Sequence, residues 1–280
     1  GHRRLSIIDT RAVAHQPMWD NSRRWCIVFN GEIFNFRDLR QQLRAEGLTF
    51  HTESDTEVLL QSYIRYGTAC LNQLNGFFSF CIYDTQEQSL FLARDRFGIK
   101  PLLYLFDQDK FLFSSEMKSL LAYGIVKDID YNSLLAYLQL NYIPAPHTIF
   151  PGVKKLMPGH WLKIKNQSIE TGRYYSIPHP SVEDSPPSLS YPEAQVRFRS
   201  LLEASVQRRL VADVPLGCFL SGGTDSSVIA AIASRHQSGL HTFSIGYQDE
   251  PYFDETSYAR LVAKKINTEH TVFSLTNRDL

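Results

Sequence analysis

Residues 176–192, SIPHPSVEDSPPSLSYP, hold five of the chain's 13 prolines and five serines. Proline fixes φ and removes a backbone donor, so this stretch resists helix and sheet alike. A chain of 280 residues broken in this way folds as two parts. The expected division is a first domain over 1–175, a linker over 176–192 and a second domain over 193–280.

The two parts carry different periodicities. In the first, residues 25–29 form a β-branched and aromatic run that ends at Asn30-Gly31, a turn signal. Phe36, Leu39 and Leu43 repeat at helical spacing before Gly47. Ser54-x-x-Glu57 reads as a capping box opening a second helix that Gly67 stops. Strand-like runs follow at 77–83, 89–93, 102–106, 111–114 and 160–164, with short helices at 118–122 and 134–140. Consecutive strands at this spacing predict antiparallel sheets, and the interspersed helices predict an α+β sandwich. In the second part, helices over 194–209, 228–234 and 256–266 alternate with strands over 214–220, 241–246 and 271–273. The first helix carries Phe198, Leu201, Leu202 and Val206 as its apolar stripe. Alternating strand and helix with short links predicts a parallel α/β sheet.

Composition narrows the class. Twenty-nine basic residues balance 29 acidic ones, which removes a global basic field for nucleic acid. Hydrophobic residues at 43% exclude wholesale disorder, and no apolar run reaches the ~18–20 residues of a membrane span. The four cysteines, Cys26, Cys70, Cys81 and Cys218, sit in apolar surroundings without a C-x-x-C pair, as buried thiols of a reducing cytoplasm do. The nine histidines show no zinc-ligand spacing. Since the chain does not begin with Met and stops at Leu280 just after a strand, we expect a fragment lacking both ends.

Ser221-Gly222-Gly223-Thr224-Asp225-Ser226-Ser227 follows an apolar strand and opens a helix. A helix N-terminus at the carboxyl end of a parallel strand offers unpaired N–H groups to phosphate. The two glycines allow close backbone approach, and the serine hydroxyls add donors. Asp225 would repel a bare phosphate, so its presence calls for a bridging Mg²⁺. There is no Walker lysine. The motif is similar to the pyrophosphate-binding loop of the N-type ATP pyrophosphatases, which cleave ATP between the α and β phosphates.

Six further motifs stand in order before it. They are His2-x-Arg4-Leu5-Ser6-Ile7-Ile8-Asp9, Gln16-Pro17-Met18, Phe29-Asn30-Gly31-Glu32-Ile33-Phe34-Asn35, Ser54-Asp55-Thr56-Glu57, Arg94-Asp95-Arg96-Phe97-Gly98-Ile99-Lys100-Pro101-Leu102 and Ser115-Glu116-Met117-Lys118. Together the chain resembles the glutamine-hydrolysing asparagine synthetases of the bacterial B type, over nearly its whole length apart from the linker. That resemblance implies an N-terminal nucleophile-type αββα sandwich followed by an α/β parallel-sheet domain of the adenine-nucleotide hydrolase kind, both incomplete. It implies glutamine, aspartate and ATP as substrates, Mg²⁺ as the metal, a β-aspartyl-AMP intermediate, a cytoplasmic homodimer, and neither nucleic acid nor membrane as partner.

The residues suit those roles. Arg4 can grip a glutamine carboxylate with its fork. Asp55 and Glu32 can receive the ammonium, although Asp55 equally suits helix capping. Asn30 and the Gly31 N–H can converge on an oxyanion, although Asn-Gly is also a common hairpin turn. In the resembling family these positions bind glutamine. Leu220, Ser221, Gly222, Gly223, Asp225, Ser226 and Ile245 fall on the ATP-binding positions, with Leu220 and Ile245 flanking the adenine. The family's nucleophile is an N-terminal cysteine. Residue 1 here is Gly, and none of the four cysteines is placed to substitute. The residues before Leu280 leave the acceptor open: another carboxylate could be amidated, and a non-catalytic binding chain would keep the same folds.

Overall fold

The computed structural model describes residues 2–3, 5–107, 110–179, 189–277 and 279. Arg4 lies outside them. The chain divides into two compact units, Gly1–His179 and Pro180–Leu280.

The first unit runs β1 (Met18–Trp19), β2 (Trp25–Ile33), α1 (Phe36–Ala45), α2 (Asp55–Tyr66), α3 (Cys70–Gln73), β3 (Gly76–Asp84) and β4 (Ser89–Arg94). It continues with β5 (Leu103–Asp107), β6 (Lys110–Ser114), α4 (Met117–Tyr123), α5 (Tyr131–Leu140), β7 (Val153–Lys155), β8 (His160–Lys165) and β9 (Ser168–Arg173). One antiparallel sheet has the order β1-β2-β3-β4-β8-β9 and a second has β6-β5-β7.

Strand alternation sorts the side chains into layers. On one face of the large sheet, Phe78, Phe80 and Phe91 form a chain of rings that stacks on Tyr63 of α2 at 4.6 Å between Phe91 and Tyr63. On the other face, Cys81, Leu92, Leu162 and Ile164 pack against Leu102, with Tyr104, Phe111 and Phe113 of the second sheet closing the cluster. The far face of that sheet, through Leu103 and Leu105, meets Leu120, Met117 and Leu121 of α4. The result is helix, sheet, sheet, helix. β3 and β4 read as nearly continuous apolar runs because both of their faces are covered.

Three features depart from the sequence reading. Asn30-Gly31 is no turn: β2 continues to Ile33, and Asn30 pairs with Ser79 and Gly31 with Phe78. The Ser54 hydroxyl accepts from the Glu57 N–H at 3.2 Å, but the Glu57 carboxylate accepts from His51 and Thr52 instead of closing the box on Ser54. β1, β7 and β9 carry little apolar signal, since they are short or lie at a sheet edge.

The second unit runs α6 (Tyr191–Arg208), β10 (Gly217–Phe219), α7 (Thr224–His236), β11 (His241–Tyr247), α8 (Thr256–Ile266) and β12 (Glu269–Leu275). The three strands are parallel, in the order β10-β11-β12. Helix α6 begins within the stretch expected to be linker. Glu193 accepts from the Ser190 N–H at 2.9 Å, and Pro192 falls in the first turn, where its missing donor costs nothing. Its expected stripe is only half realised: Val206 is buried and Leu202 partly so, whereas Phe198 and Leu201 are exposed. β10 is shorter than the strand expected over 214–220, because residues 214–216 do not join the ladder and the chain leaves it after Phe219.

Candidate functional site

In the first unit the expected residues gather where β2 meets the start of α2. The fit between β2 and β3 is tight at Gly31. A Cβ there would lie 2.0 Å from the Phe77 carbonyl oxygen and 2.7 Å from Phe78 Cα, at φ +151. Gly76, across the ladder, would bring a Cβ within 2.2 Å of the Glu32 carbonyl. The two strands therefore close on each other with no side chain between them. Asp55, the first residue of α2, is 3% exposed, and its Oδ2 accepts from the Ile33 N–H at 3.0 Å. The helix start is thus fastened to the end of β2, at the positive end of the α2 dipole. This join ties the strand that carries Asn30, Gly31 and Glu32 to the helix start that carries Asp55. The Asn30 side chain is only partly buried.

The segment before β1 is tied to the same corner. Asp9 takes both arms of Arg11, at 2.7 and 2.8 Å, and also the Glu53 N–H at 2.7 Å. The Arg11 hydrogen bonds hold its carboxyl down at about 2. Gln16 accepts from the Phe29 N–H at 2.6 Å and donates to Thr56 at 3.3 Å, spanning β2 and α2. Burial pushes the Glu32 carboxyl up, and the Lys100 ammonium draws it back.

Lys100 ends the 94–100 loop, which sequence reasoning recorded as a motif without giving it a role. Arg94 donates to the carbonyls of Lys100, Leu156 and Gly98 at 2.7–2.8 Å. Asp95 is 1% exposed, and its carboxylate accepts from the N–H groups of Phe78, Phe97, Ile99 and Lys100 at 3.0–3.2 Å. Phe78 is the residue paired with Gly31. One carboxylate therefore fixes both the loop that carries Lys100 and the strand opposite Gly31. Asp95→Asn keeps the shape but exchanges half of its acceptor capacity for an amide donor. It should destabilise the protein by ~1–3 kcal/mol, read as a lower urea midpoint; an unchanged midpoint would remove Asp95 from this role.

Of the four thiols, Cys70 and Cys81 are buried and Cys26 and Cys218 partly so. Burial raises Cys26, Cys81 and Cys218 and pushes Cys70 up to about 12. A thiolate, the reactive form, is disfavoured at each.

In the second unit, Leu220 to Ser226 and Ile245 meet at the carboxyl edge of the parallel strands. Gly222 has φ +88, and a Cβ there would lie 2.6 Å from both the Ala259 N and the Tyr258 Cβ of α8. The loop is thus seated against the first turn of α8, and only glycine fits. The hydroxyls of Ser221 and Ser226 bond each other at 3.0 Å, and Ser226 also reaches the Gly223 carbonyl at 3.2 Å. Gly223 caps α7, so Asp225 and Ser226 lie in its first turn, not in a free turn. Asp225 is exposed there. Among the described residues no group of three His, Cys, Asp or Glu could hold a metal. A single exposed carboxylate suits a Mg²⁺ whose other ligands are phosphate oxygens and water. Ile245 is 50% exposed, beyond the last residue of β10. Leu220 is 1% exposed and packs against Ala230, Ala259 and Ala263, so it offers the loop its backbone but not its side chain.

Among the described residues, no helix is long and apolar enough to cross a membrane.

The family model for the glutamine amidotransferase domain matches residues 1–175, and that for asparagine synthase matches residues 197–280. Asparagine synthetase [glutamine-hydrolyzing] 3 of Bacillus subtilis (strain 168) is 39% identical over 268 residues, covering 92% of this chain and 43% of the relative. The putative asparagine synthetase [glutamine-hydrolyzing] 2 of Methanocaldococcus jannaschii is 34% identical over 298 residues, covering 100% of this chain and 56% of the relative. The chain spans about half the length of these curated relatives. Among solved structures, one described as the allosteric regulatory enzyme of purine biosynthesis aligns at TM-score 0.45 and 16% identity, over 93% of this chain and 62% of that one. With its first 175 residues matched by the family model, the chain belongs to the glutamine amidotransferase domain family, and the part after residue 196 matches the asparagine synthase family.

Proposed function

We propose that the chain belongs to an enzyme that makes asparagine from aspartate, ATP and glutamine. The first unit carries part of a glutaminase site on an N-terminal nucleophile-type sandwich. The second is of the ATP-pyrophosphatase kind. The observation that carries this reading is the join of β2, the strand of Asn30, Gly31 and Glu32, to Asp55 through the Ile33 N–H. An oxyanion needs rigid donors, and a strand closed against β3 with no Cβ between them supplies rigidity.

Asn30 and the Gly31 N–H stabilise the tetrahedral oxyanion formed when a cysteine thiolate attacks the glutamine amide. Glu32 and Asp55 receive the substrate ammonium, and Arg4 holds its carboxylate. In the second unit the Ser221, Gly222, Gly223 and Ser226 donors cradle the ATP phosphates. Asp225 would hold a Mg²⁺, which would supply neutralisation of the phosphate charge when bound. Ile245 borders the adenine. Ammonia released in the first unit displaces AMP from an adenylated aspartate in the second.

The intact protein supplied with ATP, aspartate and glutamine should release asparagine, AMP and pyrophosphate. Consumption of ATP and glutamine with another carboxylate, and none with aspartate, would move the acceptor. Arg4→Ala should raise the glutamine KM at least tenfold, since an unpaired carboxylate costs ~2–5 kcal/mol at ~1.4 kcal/mol per decade. Lysine restores charge without the fork, so Arg4→Lys should recover part of that loss. Turnover with ammonium should be unaffected. A wild-type glutamine KM in Arg4→Ala would overturn the assignment.

A further inference from the structure

The proposed phosphate loop leaves the sheet at Leu220, and a line of side-chain hydrogen bonds holds that point. The Leu220 N–H donates to the Phe243 carbonyl at 2.8 Å. Its own carbonyl lies one residue past the end of β10 and accepts from the Ser244 hydroxyl. Ser244 Oγ is 3.3 Å from His270 Nε2. His270 Nδ1 is 3.0 Å from Thr242 Oγ1, which is 3.0 Å from Thr268 Oγ1. Thr242 and Ser244 are alternate residues of β11, so they share one face, and His270 stands opposite Thr242 on β12. Both hydroxyls are buried.

Proton counting leaves one arrangement. Ser244 has a single proton and gives it to Leu220, so toward His270 it can only accept. Nε2 therefore carries a hydrogen. Burial and the nearby Arg260 of α8 hold the imidazole below the usual histidine range, outweighing a hydrogen bond with the Thr242 backbone that raises it, and this favours the neutral ring. In that ring Nδ1 is the acceptor, Thr242 donates to it, and Thr268 donates to Thr242.

We propose that His270 is a positioning residue for the nucleotide loop: through the Ser244 hydroxyl it fixes the Leu220 carbonyl, and so the point where the 221–227 loop departs. Leu220 is packed against Ala230 of α7 and against Ala259 and Ala263 of α8. Its backbone therefore sets the loop relative to both helices. His270 touches no substrate in this scheme. Sequence reading passed it over because a lone histidine at strand spacing carries no motif.

The proposal rests on the reading that this loop binds ATP, and the test separates the two. In the intact protein, ATP Kd is measured by calorimetry for wild type, Ser244→Ala, His270→Ala, the double variant, His270→Gln and Asp225→Asn. The imidazole tautomer of wild type is read by ¹⁵N NMR. Each alanine variant should weaken ATP about tenfold: Ser244→Ala leaves a buried carbonyl short of its donor, and His270→Ala frees the Ser244 hydroxyl to turn away from it. The double variant should bind no worse than the weaker single, because the two groups act in series. His270→Gln, with an amide N–H near the Nε2 position, should recover part of the affinity. Wild-type His270 should show the Nε2–H tautomer. Wild-type Kd in both single variants, additive losses of about a hundredfold in the double, or an Nδ1–H tautomer would each overturn the relay. If wild type binds no ATP and Asp225→Asn changes nothing, the nucleotide reading fails, and the tautomer alone then decides the relay.

Discussion

Gly31→Ala should abolish glutamine-dependent turnover in the intact protein while ammonium-dependent turnover persists. The added Cβ would sit 2.0 Å from the Phe77 carbonyl, and a backbone oxygen cannot swing aside as a side chain could. Relief requires β2 and β3 to part, which moves the Gly31 N–H and the Asn30 amide off the oxyanion position. Loss of one such donor costs ~2.7–4 kcal/mol, or ~10²–10³ in kcat, and here two are displaced. Gly76→Ala brings the same clash from the opposite strand, 2.2 Å from the Glu32 carbonyl, and should give the same split between nitrogen sources. Glutaminase kinetics with both donors measure it. Wild-type kcat with glutamine in Gly31→Ala would refute the oxyanion assignment. Loss of both activities with a collapsed unfolding midpoint would show that the sheet itself had failed.

Asp225→Asn should remove pyrophosphate release and leave glutaminase activity standing. The side chain is exposed in the first turn of α7, so the amide fits without strain. What changes is charge: an amide is a far poorer ligand for a hard dication than a carboxylate. A loss of at least ~100-fold corresponds to ~2.7 kcal/mol of transition-state stabilisation. The same substitution also weakens the favourable interaction of a negative side chain with the helix N-terminus, but only by ~0.3–1 kcal/mol. That is too little to unfold the unit, so a large kinetic effect without a shift in melting temperature points to the metal. Raised Mg²⁺ should restore part of the rate if Asp225 holds the ion. Pyrophosphate release at the wild-type rate would sink the assignment.

The elements most legible in the sequence were those whose pattern answers to burial. β2, β3 and β4 are apolar because helices or a second sheet cover them, and α8 carries its alanines Ala259 and Ala263 toward Leu220. Asn30-Gly31 misled because local turn propensity and a strand interior draw on the same residue pair. The close approach to Phe77 requires glycine there, but the approach is visible only once β3 is in place. The stripe of α6 also misled, since Phe198 and Leu201 show helical spacing yet are exposed. Helical spacing says which residues share a face, not whether anything covers it. For the candidate sites, the residues bearing obvious chemistry were named from the sequence. The supports were not: Asp95 and Gln16 lay inside quoted motifs, but what they bind is backbone of β3 and β2, brought near only by folding.

The strand order β3-β4-β8 has a consequence in time. β4 ends at Arg94, and its outer neighbour β8 begins at His160, with the whole second sheet encoded between them. At a synthesis rate of ~5–20 residues/s, β4 waits roughly 3–13 s on the ribosome for its partner. During that wait the edge of β4 is unpaired, and Phe91, Leu92 and Ala93, all buried in the finished fold, lie along it. An apolar open edge is a template for pairing with other nascent chains. The yield of soluble protein should therefore depend on how crowded translation is, and a chaperone that shields the β4 edge should raise it.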